Sequence, residues 1–221
     1  MEEIAKYLPN STTRRIIKKG SILLYQGEVP KQAYIVTSGH FKMYRLSKHG
    51  EEQIASFKVS GDIFPECWIF GKTLNTMYYY EALENSEVVT VEKPVLLDLL
   101  EREPSLKDKL FDYMVINYTG LMLQISALEQ SSAAEKLLLI IYYLMFRYGK
   151  EKKPGEYSIN IKHTHTILAS FMGLTRETIT TELSRLKRKG VIYYNTKHFI
   201  VYKAALKKRI GDDSLDDLCL I

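Results

Sequence analysis

The chain has 221 residues, of which 46% are hydrophobic and 26% charged, as is ordinary for a globular protein with one large domain or two modest ones. No run approaches the ~18 consecutive apolar residues of a membrane span, and residues 1–6 are polar and acidic rather than a secretory signal, so we expect a cytoplasmic protein without membrane association. The net charge of +5 is uneven, because residues 176–209 hold ten Lys or Arg against two Glu, whereas residues 210–221 hold four Asp and no base. Such a local excess is typical of a polyanion-binding surface, with a solvated basic face as the alternative.

The cysteine content excludes several classes of site. Cys67 and Cys219 are too few for a disulfide framework or a four-cysteine zinc or iron–sulfur site. Cys67 lies between Glu66 and Trp68 in an apolar stretch, so we expect a small buried side chain there, with a redox or ligand-contact role as the alternative.

From Gly20 to Val91 the pattern predicts short β-strands separated by glycine turns. The segments between the glycines are rich in β-branched and aromatic residues. In the segment IASFKV, Ala55, Phe57 and Val59 alternate with polar residues, which predicts a half-buried strand, and 48–51 is typical of a hairpin turn. Short, regularly spaced strands indicate a sandwich, jelly roll or barrel. The predicted strands are 22–25, 33–36, 41–46, 54–57 and 88–91.

A long helix is predicted from Pro104 to Gln130, because proline is tolerated in a first helical turn and no further proline follows. Two stripes at helical spacing suggest burial on two sides, one of them against a partner subunit. Asn117 and Gln124 would set the register of such a dimer; a central helix of a monomer is the alternative. The stripes are Leu110, Met114, Asn117, Leu121, Gln124 and Leu128, and Tyr113, Ile116, Gly120, Leu123 and Ala127.

The next segment predicts a helix over 132–148 that ends at Gly149. The polar run 150–156 then predicts a surface loop, and 157–161 a short strand.

A pair of helices joined by a glycine turn follows. Thr164 or Thr166 can cap the first helix, and Gly173 supplies the turn. Thr175 can cap the second helix by accepting the backbone N–H of Thr178. Gly190 ends that helix, and the following residues alternate into a β-hairpin, or wing, around 195–196.

The second helix has an apolar stripe of Ile179, Leu183 and Leu186, and its outward face comprises Arg176, Glu177, Thr180, Thr181 and Ser184. In helix-turn-helix proteins this helix enters the DNA major groove. Arg176 can donate two hydrogen bonds to guanine O6 and N7, and Glu177 can accept one from cytosine N4, although capping of the helix dipole is another role for Glu177. Three bases at the far end are expected to meet phosphate or solvent: Lys187, Arg188 and Lys189.

The motif LTRETITTELSRLKRKGVI resembles the C-terminal winged helix-turn-helix of the Crp/Fnr superfamily of bacterial transcription regulators. The segments GSILLYQGE, YIVTSGHFKMYRL and GDIFPECWIF resemble successive parts of that superfamily's cyclic-nucleotide-binding β-roll. The resemblance implies an α+β fold, with an N-terminal double-stranded β-helix or jelly roll (the β-roll) over 1–103, a dimerisation helix over 104–130 and a winged helix-turn-helix domain over 131–221. It further implies a transcription regulator that binds an inverted repeat in double-stranded DNA as a homodimer, with RNA polymerase as a possible further partner.

The same resemblance implies roles for individual residues. Arg176 and Glu177 would read bases, while His165, Thr166, Thr175 and Thr178 would contact phosphates. Thr181 departs from the family pattern, since many relatives have an arginine there that reads a second guanine. We therefore expect a different half-site.

The resemblance also raises the question of a cyclic nucleotide. Relatives that bind cyclic AMP place a Glu on the ribose and an Arg-Ser pair on the cyclic phosphate. Glu66 fits the first role, although Pro65 replaces the preceding glycine. The second pair would fall near Thr76 and Met77, where there is no arginine and Lys72 is the only base nearby. Because a buried phosphate needs a cationic partner, we expect neither cyclic AMP nor cyclic GMP as effector, and no cofactor.

This region is nevertheless rich in aromatic residues, which permits either an apolar effector or a core that fills its own pocket. The candidate effector residues are Glu66, Cys67, Trp68, Met77 and Tyr78.

Two other classes of function are the alternatives. One is a ligand-binding regulatory module whose winged helix mediates protein contacts; the basic window and the Arg176–Glu177 tip favour DNA instead. The other is an enzyme, which we do not expect because no nucleophile–base pair or metal cluster is evident, and His163 and His165 lack a third ligand. The sequence leaves open the effector, activation or repression, the target genes and the role of the acidic tail.

Overall fold

The structure, a computed structural model, describes residues 7–8, 12–160, 164–195 and 198–211. The chain divides into two compact units, Met1–Tyr113 and Met114–Ile221. The predicted α+β class is confirmed, because strands dominate the first unit and a helix-turn-helix with a small sheet lies in the second.

In the described part of the first unit, eight strands form two antiparallel sheets. Their orders are β1-β8-β3-β6 and β2-β7-β4-β5, which is the predicted β-roll. The strands are β1 (Thr13–Ile17), β2 (Ile22–Leu24), β3 (Ala33–Ser38), β4 (Phe41–Leu46), β5 (Glu52–Lys58), β6 (Ile63–Phe64), β7 (Tyr79–Ala82) and β8 (Ser86–Val91).

Two glycine turns position these strands. Gly50 has φ +81° in the turn between β4 and β5, which confirms the predicted hairpin. Gly39 has φ +75°, and a Cβ there would lie 2.8 Å from the Cα of Ser86. A residue with a side chain would therefore push β8 away from this turn.

The core of the β-roll is aromatic. Phe64 stacks on Tyr80 with ring centroids 4.7 Å apart, and Tyr34 and Phe41 pack against the same ring. All four side chains are buried.

The alternation predicted for IASFKV is wrong. The structure buries Ile54 and Phe57, and Ala55 is only half-buried. The register with β4 shifts here, from Ile54 opposite Tyr44 to Ser56 opposite Met43. Ala55 is thus the extra residue of a β-bulge, which breaks the two-residue period.

In the first unit, the helices whose bounds lie within the described residues are α1 (Glu66–Ile69), α2 (Lys93–Arg102) and α3 (Pro104–Leu128). Helix α3 matches the predicted long helix. Helix α2 was missed, although Pro94 in its first turn and the buried pair Leu96 and Leu100 are helix signals.

The two polar residues of α3 that are predicted to set the register of a dimer are engaged within the chain. The Oδ1 of Asn117 accepts a hydrogen bond of 2.9 Å from Nε of Arg147 in the same chain, and Gln124 is buried. Neither residue lies in an open seam. Helix α3 also exposes an apolar row, in which Leu121 and Leu128 come from the first predicted stripe. The row comprises Phe111, Val115, Tyr118, Leu121, Met122, Ile125 and Leu128.

The second unit continues with α4 (Ala133–Tyr148), β9 (Gly149–Lys153), β10 (Glu156–Ile159), α5 (His165–Met172), α6 (Arg176–Arg188), β11 (Ile192–Tyr194), β12 (Phe199–Tyr202) and α7 (Lys203–Ile210). Its antiparallel sheet has the order β11-β12-β10-β9. The predicted helix over 132–148 is confirmed: the hydroxyl of Ser132 accepts the N–H of Glu135 at 3.2 Å.

The loop predicted over 150–156 is wrong, because most of this run forms the edge strand β9. The charged side chains of β9 are exposed, and β9 pairs with β10 on one side only. A run of charged residues is typical of a surface loop, but it is equally compatible with such an edge strand.

Candidate DNA interface and effector site

The two helices of the helix-turn-helix are capped as the sequence predicts. Thr164, rather than Thr166, caps α5 by accepting the N–H of Ile167 at 3.1 Å. Gly173 has φ +63°, the left-handed conformation that ends α5 and turns the chain. Thr175 caps α6 by accepting the N–H of Thr178 at 3.2 Å, which confirms the predicted bond.

Helix α6 is oriented by its apolar stripe. Ile179, Leu183 and Leu186 are buried, and the opposite face remains open to solvent. The exposed residues on that face are Arg176, Glu177, Thr180 and Thr181, while Ser184 is half-buried. The structure thus brings the predicted base-reading residues together on one surface.

His165 joins α5 to this surface. Its Nδ1 lies 2.8 Å from Oγ1 of Thr180, and that hydroxyl also lies 2.8 Å from the backbone oxygen of Arg176. The imidazole packs edge-on against the ring of Tyr194 in the wing, with centroids 5.7 Å apart. Burial and the charge of Arg176 lower the pKa of His165 below its usual value. The ring is therefore mostly neutral at pH 7.

The other predicted phosphate contacts line the same edge. Thr166 and Thr175 are exposed, and Thr178 is half-buried with its hydroxyl 2.9 Å from that of Thr175.

The wing has an anchor that sequence reasoning missed. Nζ of Lys187 lies 5.2 and 4.8 Å from the ring centroids of Tyr193 and Tyr194, and donates a 3.0 Å hydrogen bond to the backbone oxygen of Tyr194. Lys187, expected to meet phosphate or solvent, is exposed and also ties α6 to β11. The sequence feature that could have indicated this contact is the pair of neighbouring aromatic residues, Tyr193 and Tyr194. Of the predicted wing turn, Asn195 is described and residue 196 lies outside the described residues.

Positive charge continues beyond the reading face. Arg185, with a smaller effect from Arg209, lowers the pKa of Lys189. These bases therefore lie close enough to repel one another, and would be stabilised by a polyanion.

The candidate effector residues in the β-roll are arranged differently. The carboxylate of Glu66 forms an ion pair with Nζ of Lys58, whose side chain is only 6% exposed. The expectation that Lys72 is the only base nearby is wrong, because Lys58 points inward to this carboxylate. The sequence pattern does not indicate that orientation.

The expected burial of Cys67 is also wrong. Helix α1 turns Ile69 into the core and leaves Cys67 exposed. Met77 is 45% exposed. Thr76 is buried, and its hydroxyl donates to the backbone oxygen of Tyr25.

Aromatic side chains of this region fill the core or stack on one another. Phe64 and Tyr80 are core residues, Tyr78 packs against them, and Tyr79 stacks on Tyr44 at 5.1 Å. Burial raises the pKa of Tyr80 well above its usual value. These contacts favour a core that fills the pocket.

A cavity of about 620 Å³ lies beside Trp68, which is the one member of the predicted effector set among its lining residues. The indole also lies 5.0 Å from Nζ of Lys93, which donates to the backbone oxygen of Trp68 at 2.8 Å. The five candidates do not therefore line one common cavity. The lining residues are Arg15, Lys31, Gln32, Tyr34, Trp68, Glu92, Lys93 and Pro94.

Among the described residues, none of the helices combines the length and the hydrophobicity that a membrane span requires. No group of three or more His, Cys, Asp or Glu side chains there could hold a metal ion. His163, half of the histidine pair considered above, and Cys219 in the acidic tail lie outside the described residues.

A β-roll, a long helix and a winged helix-turn-helix with an open recognition face are the architecture of a DNA-binding regulator. The family model described as "Cyclic nucleotide-binding domain" matches residues 14–103, and the "Crp-like helix-turn-helix domain" matches residues 135–209. The chain belongs to the Crp/Fnr family of DNA-binding transcription regulators.

Named relatives agree with this assignment. The chain is 28% identical over 190 residues to the anaerobic regulatory protein of Pasteurella multocida, covering 85% of this chain and 68% of that protein. It is 28% identical over 191 residues to the fumarate and nitrate reduction regulatory protein of Yersinia pestis, covering 85% and 74%.

Solved structures share the fold. A mutant of CooA from Carboxydothermus hydrogenoformans has a TM-score of 0.73 at 17% identity, covering 94% of this chain and 89% of that one. FixK2 from Bradyrhizobium japonicum has a TM-score of 0.71 at 20% identity, covering 90% and 96%.

Proposed function

We propose that this regulator binds an inverted-repeat DNA site as a homodimer that forms through α3. The observation that carries the proposal is the exposed apolar row on α3. Phe111, Val115, Tyr118, Met122 and Ile125 follow one another at intervals of four and three residues, and Phe111 and Tyr118 are 69% and 64% exposed. Such a row is typical of a helix that pairs with a second helix.

Pairing of two α3 helices would provide two recognition helices for half-sites about 34 Å apart, one turn of DNA. In each half-site, Arg176 reads a guanine and Glu177 a cytosine, with Thr180 and Thr181 on the same face. His165, Thr166, Thr175 and Thr178 contact phosphates, and this division of labour gives both register and sequence preference.

The proposed organisation is a sensory domain over 1–103, a dimerisation helix over 104–130 and a DNA-binding domain over 131–221. Because its ligand would be genomic DNA, we place the protein in the cytoplasm, with RNA polymerase as a partner at promoters.

Control by cyclic AMP or cyclic GMP is not part of the proposal. Glu66 is already paired with Lys58, and the hydroxyl of Thr76 is used by a backbone oxygen, so neither is free to hold a ribose or a phosphate. The regulator would act either without an effector or with one of different chemistry. A concentration of about 1 mM cyclic AMP would saturate a site of micromolar affinity. We expect that it leaves the melting temperature of the protein unchanged.

The test is a selection from randomised duplex DNA with purified protein, run in parallel with Arg176→Ala and Glu177→Ala. A palindromic motif is expected from the parent. Arg176→Ala should lose about 1–3 kcal/mol of binding, and Glu177→Ala should relax the preference at one base pair. If both variants select the parental motif, the assignment of the reading face is wrong.

Dimerisation is tested separately by sedimentation. Ile125→Lys is expected to shift the protein toward monomer and weaken binding to the full palindrome. Ser105→Lys adds the same charge at an exposed position of α3 that is not three, four or seven residues from any member of the row, and should remain dimeric. Failure to select any DNA, in buffer and in cell extract, would instead favour a module for protein contacts.

A further inference from the structure

The hydrogen bonds around Thr180 determine which nitrogen of His165 carries hydrogen. The hydroxyl of Thr180 has one hydrogen and two neighbours at 2.8 Å, the backbone oxygen of Arg176 and Nδ1 of His165. A carbonyl oxygen can only accept, so both contacts are hydrogen bonds only when the hydroxyl donates to Arg176. Its oxygen must then accept from Nδ1–H of His165.

This arrangement leaves Nε2 of the neutral ring with a lone pair and no hydrogen. Among the described residues, the side chain of His165 forms a hydrogen bond with Thr180 and with no other residue. A phosphate oxygen also only accepts. The neutral form of His165 therefore has nothing to donate to a DNA phosphate, whereas the imidazolium form has Nε2–H.

The groups that face the ring disfavour the imidazolium in the free protein. Arg176 on α6 contributes a repelling positive charge, and Tyr194 on β11 covers one edge of the ring. Nζ of Lys187 lies over the ring of Tyr194, 4.8 Å from its centroid. A phosphate placed at Nε2 would oppose these effects with a negative charge.

We propose that each recognition helix takes up one proton at His165 when it binds DNA, so that Nε2–H of the imidazolium donates to a phosphate while Nδ1–H remains on Thr180. This inference rests on the proposed function, in which His165 contacts a phosphate. The protein would then bind DNA more tightly as the pH falls through the neutral range.

The sign follows from linkage. The bound state holds the proton more firmly than the free state, so affinity is greatest at low pH and is lost as pH rises between the two pKa values of His165. Within that window the affinity changes by at most about tenfold per pH unit for each proton taken up, and by at most about a hundredfold for a dimer.

The experiment measures binding of the full-length protein to its selected duplex by fluorescence anisotropy at constant ionic strength. The pH range runs from about 5.5 to 8.0, roughly one unit below and 1.5 units above the ordinary pKa of an imidazole. His165→Gln keeps a hydrogen-bond donor but cannot titrate, and is expected to remove most of the pH dependence. His198→Gln, in the wing, is the matched control and should retain it.

Thr180→Val gives a sharper test. Without the hydroxyl, the neutral ring is free to carry its hydrogen on Nε2 and to donate to phosphate without proton uptake. Its pH dependence should therefore be weaker than that of the parent, with relatively tighter binding at pH 8, about one unit above neutrality. Calorimetry in two buffers of different ionisation enthalpy counts the protons directly.

The outcomes separate the two proposals. A parent protein that binds no DNA at any pH overturns the proposed function itself. A parent that binds DNA with no proton uptake, or a His165→Gln variant with the parental pH dependence, overturns the proton linkage alone.

Discussion

The β-roll and the winged helix treat their polar residues in opposite ways. In the β-roll, Glu66 is paired with Lys58 and the Thr76 hydroxyl with a backbone oxygen, so the groups that family likeness assigns to a ligand are already bonded within the chain. In the winged helix, the charged tip of α6 is left in solvent, and only the supporting side is packed.

The difference separates two kinds of sequence evidence. The reading face was predicted from helical periodicity, and burial of one stripe necessarily exposes the other. The effector residues were predicted from their positions in a family pattern. Position alone does not show whether another side chain of the chain already occupies the site. Variants that remove internal partners in the β-roll therefore distinguish best between a packed core and an effector pocket.

The largest effect is expected at the aromatic core of the β-roll. Phe64 is fully buried and stacked on Tyr80. Phe64→Ala should cost about 3–5 kcal/mol of stability, and Phe64→Leu considerably less. Unfolding in guanidinium, followed by the fluorescence of the single tryptophan, Trp68, reports on this unit. A cost under about 1 kcal/mol would restore these rings as walls of an effector pocket.

The ion pair comes next. Glu66→Ala should destabilise the β-roll by about 2–3 kcal/mol, because it leaves the ammonium of Lys58 buried without its carboxylate. The double variant Glu66→Ala with Lys58→Met should recover most of that loss, by the same fluorescence measurement. Additive losses would show that the two side chains act independently and that Glu66 remains available to a ligand.

A smaller effect is expected at the cap of the recognition helix. Thr175→Ala removes the acceptor for the N–H of Thr178 and should cost about 1 kcal/mol, whereas Thr175→Ser should cost little. Amide hydrogen exchange in the first turn of α6, measured without DNA, separates capping from phosphate contact. Equal protection in the two variants would mean that the cap contributes nothing.

The smallest effect is expected at the wing. Lys187→Met removes the cation above Tyr193 and Tyr194 and should cost about 0.5–1 kcal/mol. Lys189→Met removes the same charge near the same end of α6 and should not destabilise, because it relieves repulsion from Arg185. The measurement is thermal unfolding, and a greater loss in Lys189→Met would contradict the assigned anchor.

Local chemistry was predictable from sequence where it acts over a few residues. The cap at Thr175, the turn at Gly173 and the hairpin at Gly50 each depend on neighbours within about four positions, and the structure has all three. Helix α3 was predictable for a similar reason, because the proline at its start and the helical spacing of its apolar residues both lie within one continuous segment.

What could not be predicted depends on contacts between distant segments. Asn117 accepts a hydrogen bond from Arg147, thirty positions away, and this contact within the chain could not be read from the spacing of α3. Lys58 turns inward next to a bulge, where the alternation of the strand has already failed. Cys67 follows the orientation of a one-turn helix, which apolar neighbours in sequence do not determine.

The charged edge strand β9 has a consequence for self-association. A sheet edge offers unpaired backbone groups to any other edge, including that of a second copy of the same chain. Lys150, Glu151, Lys152 and Lys153 line the outer edge of this sheet and are exposed. If two copies paired edge to edge through β9, these charged side chains would approach one another and lose part of their hydration, which disfavours the pairing. The chain is thereby protected from growing into fibres through this sheet, even while it exposes the apolar row of α3.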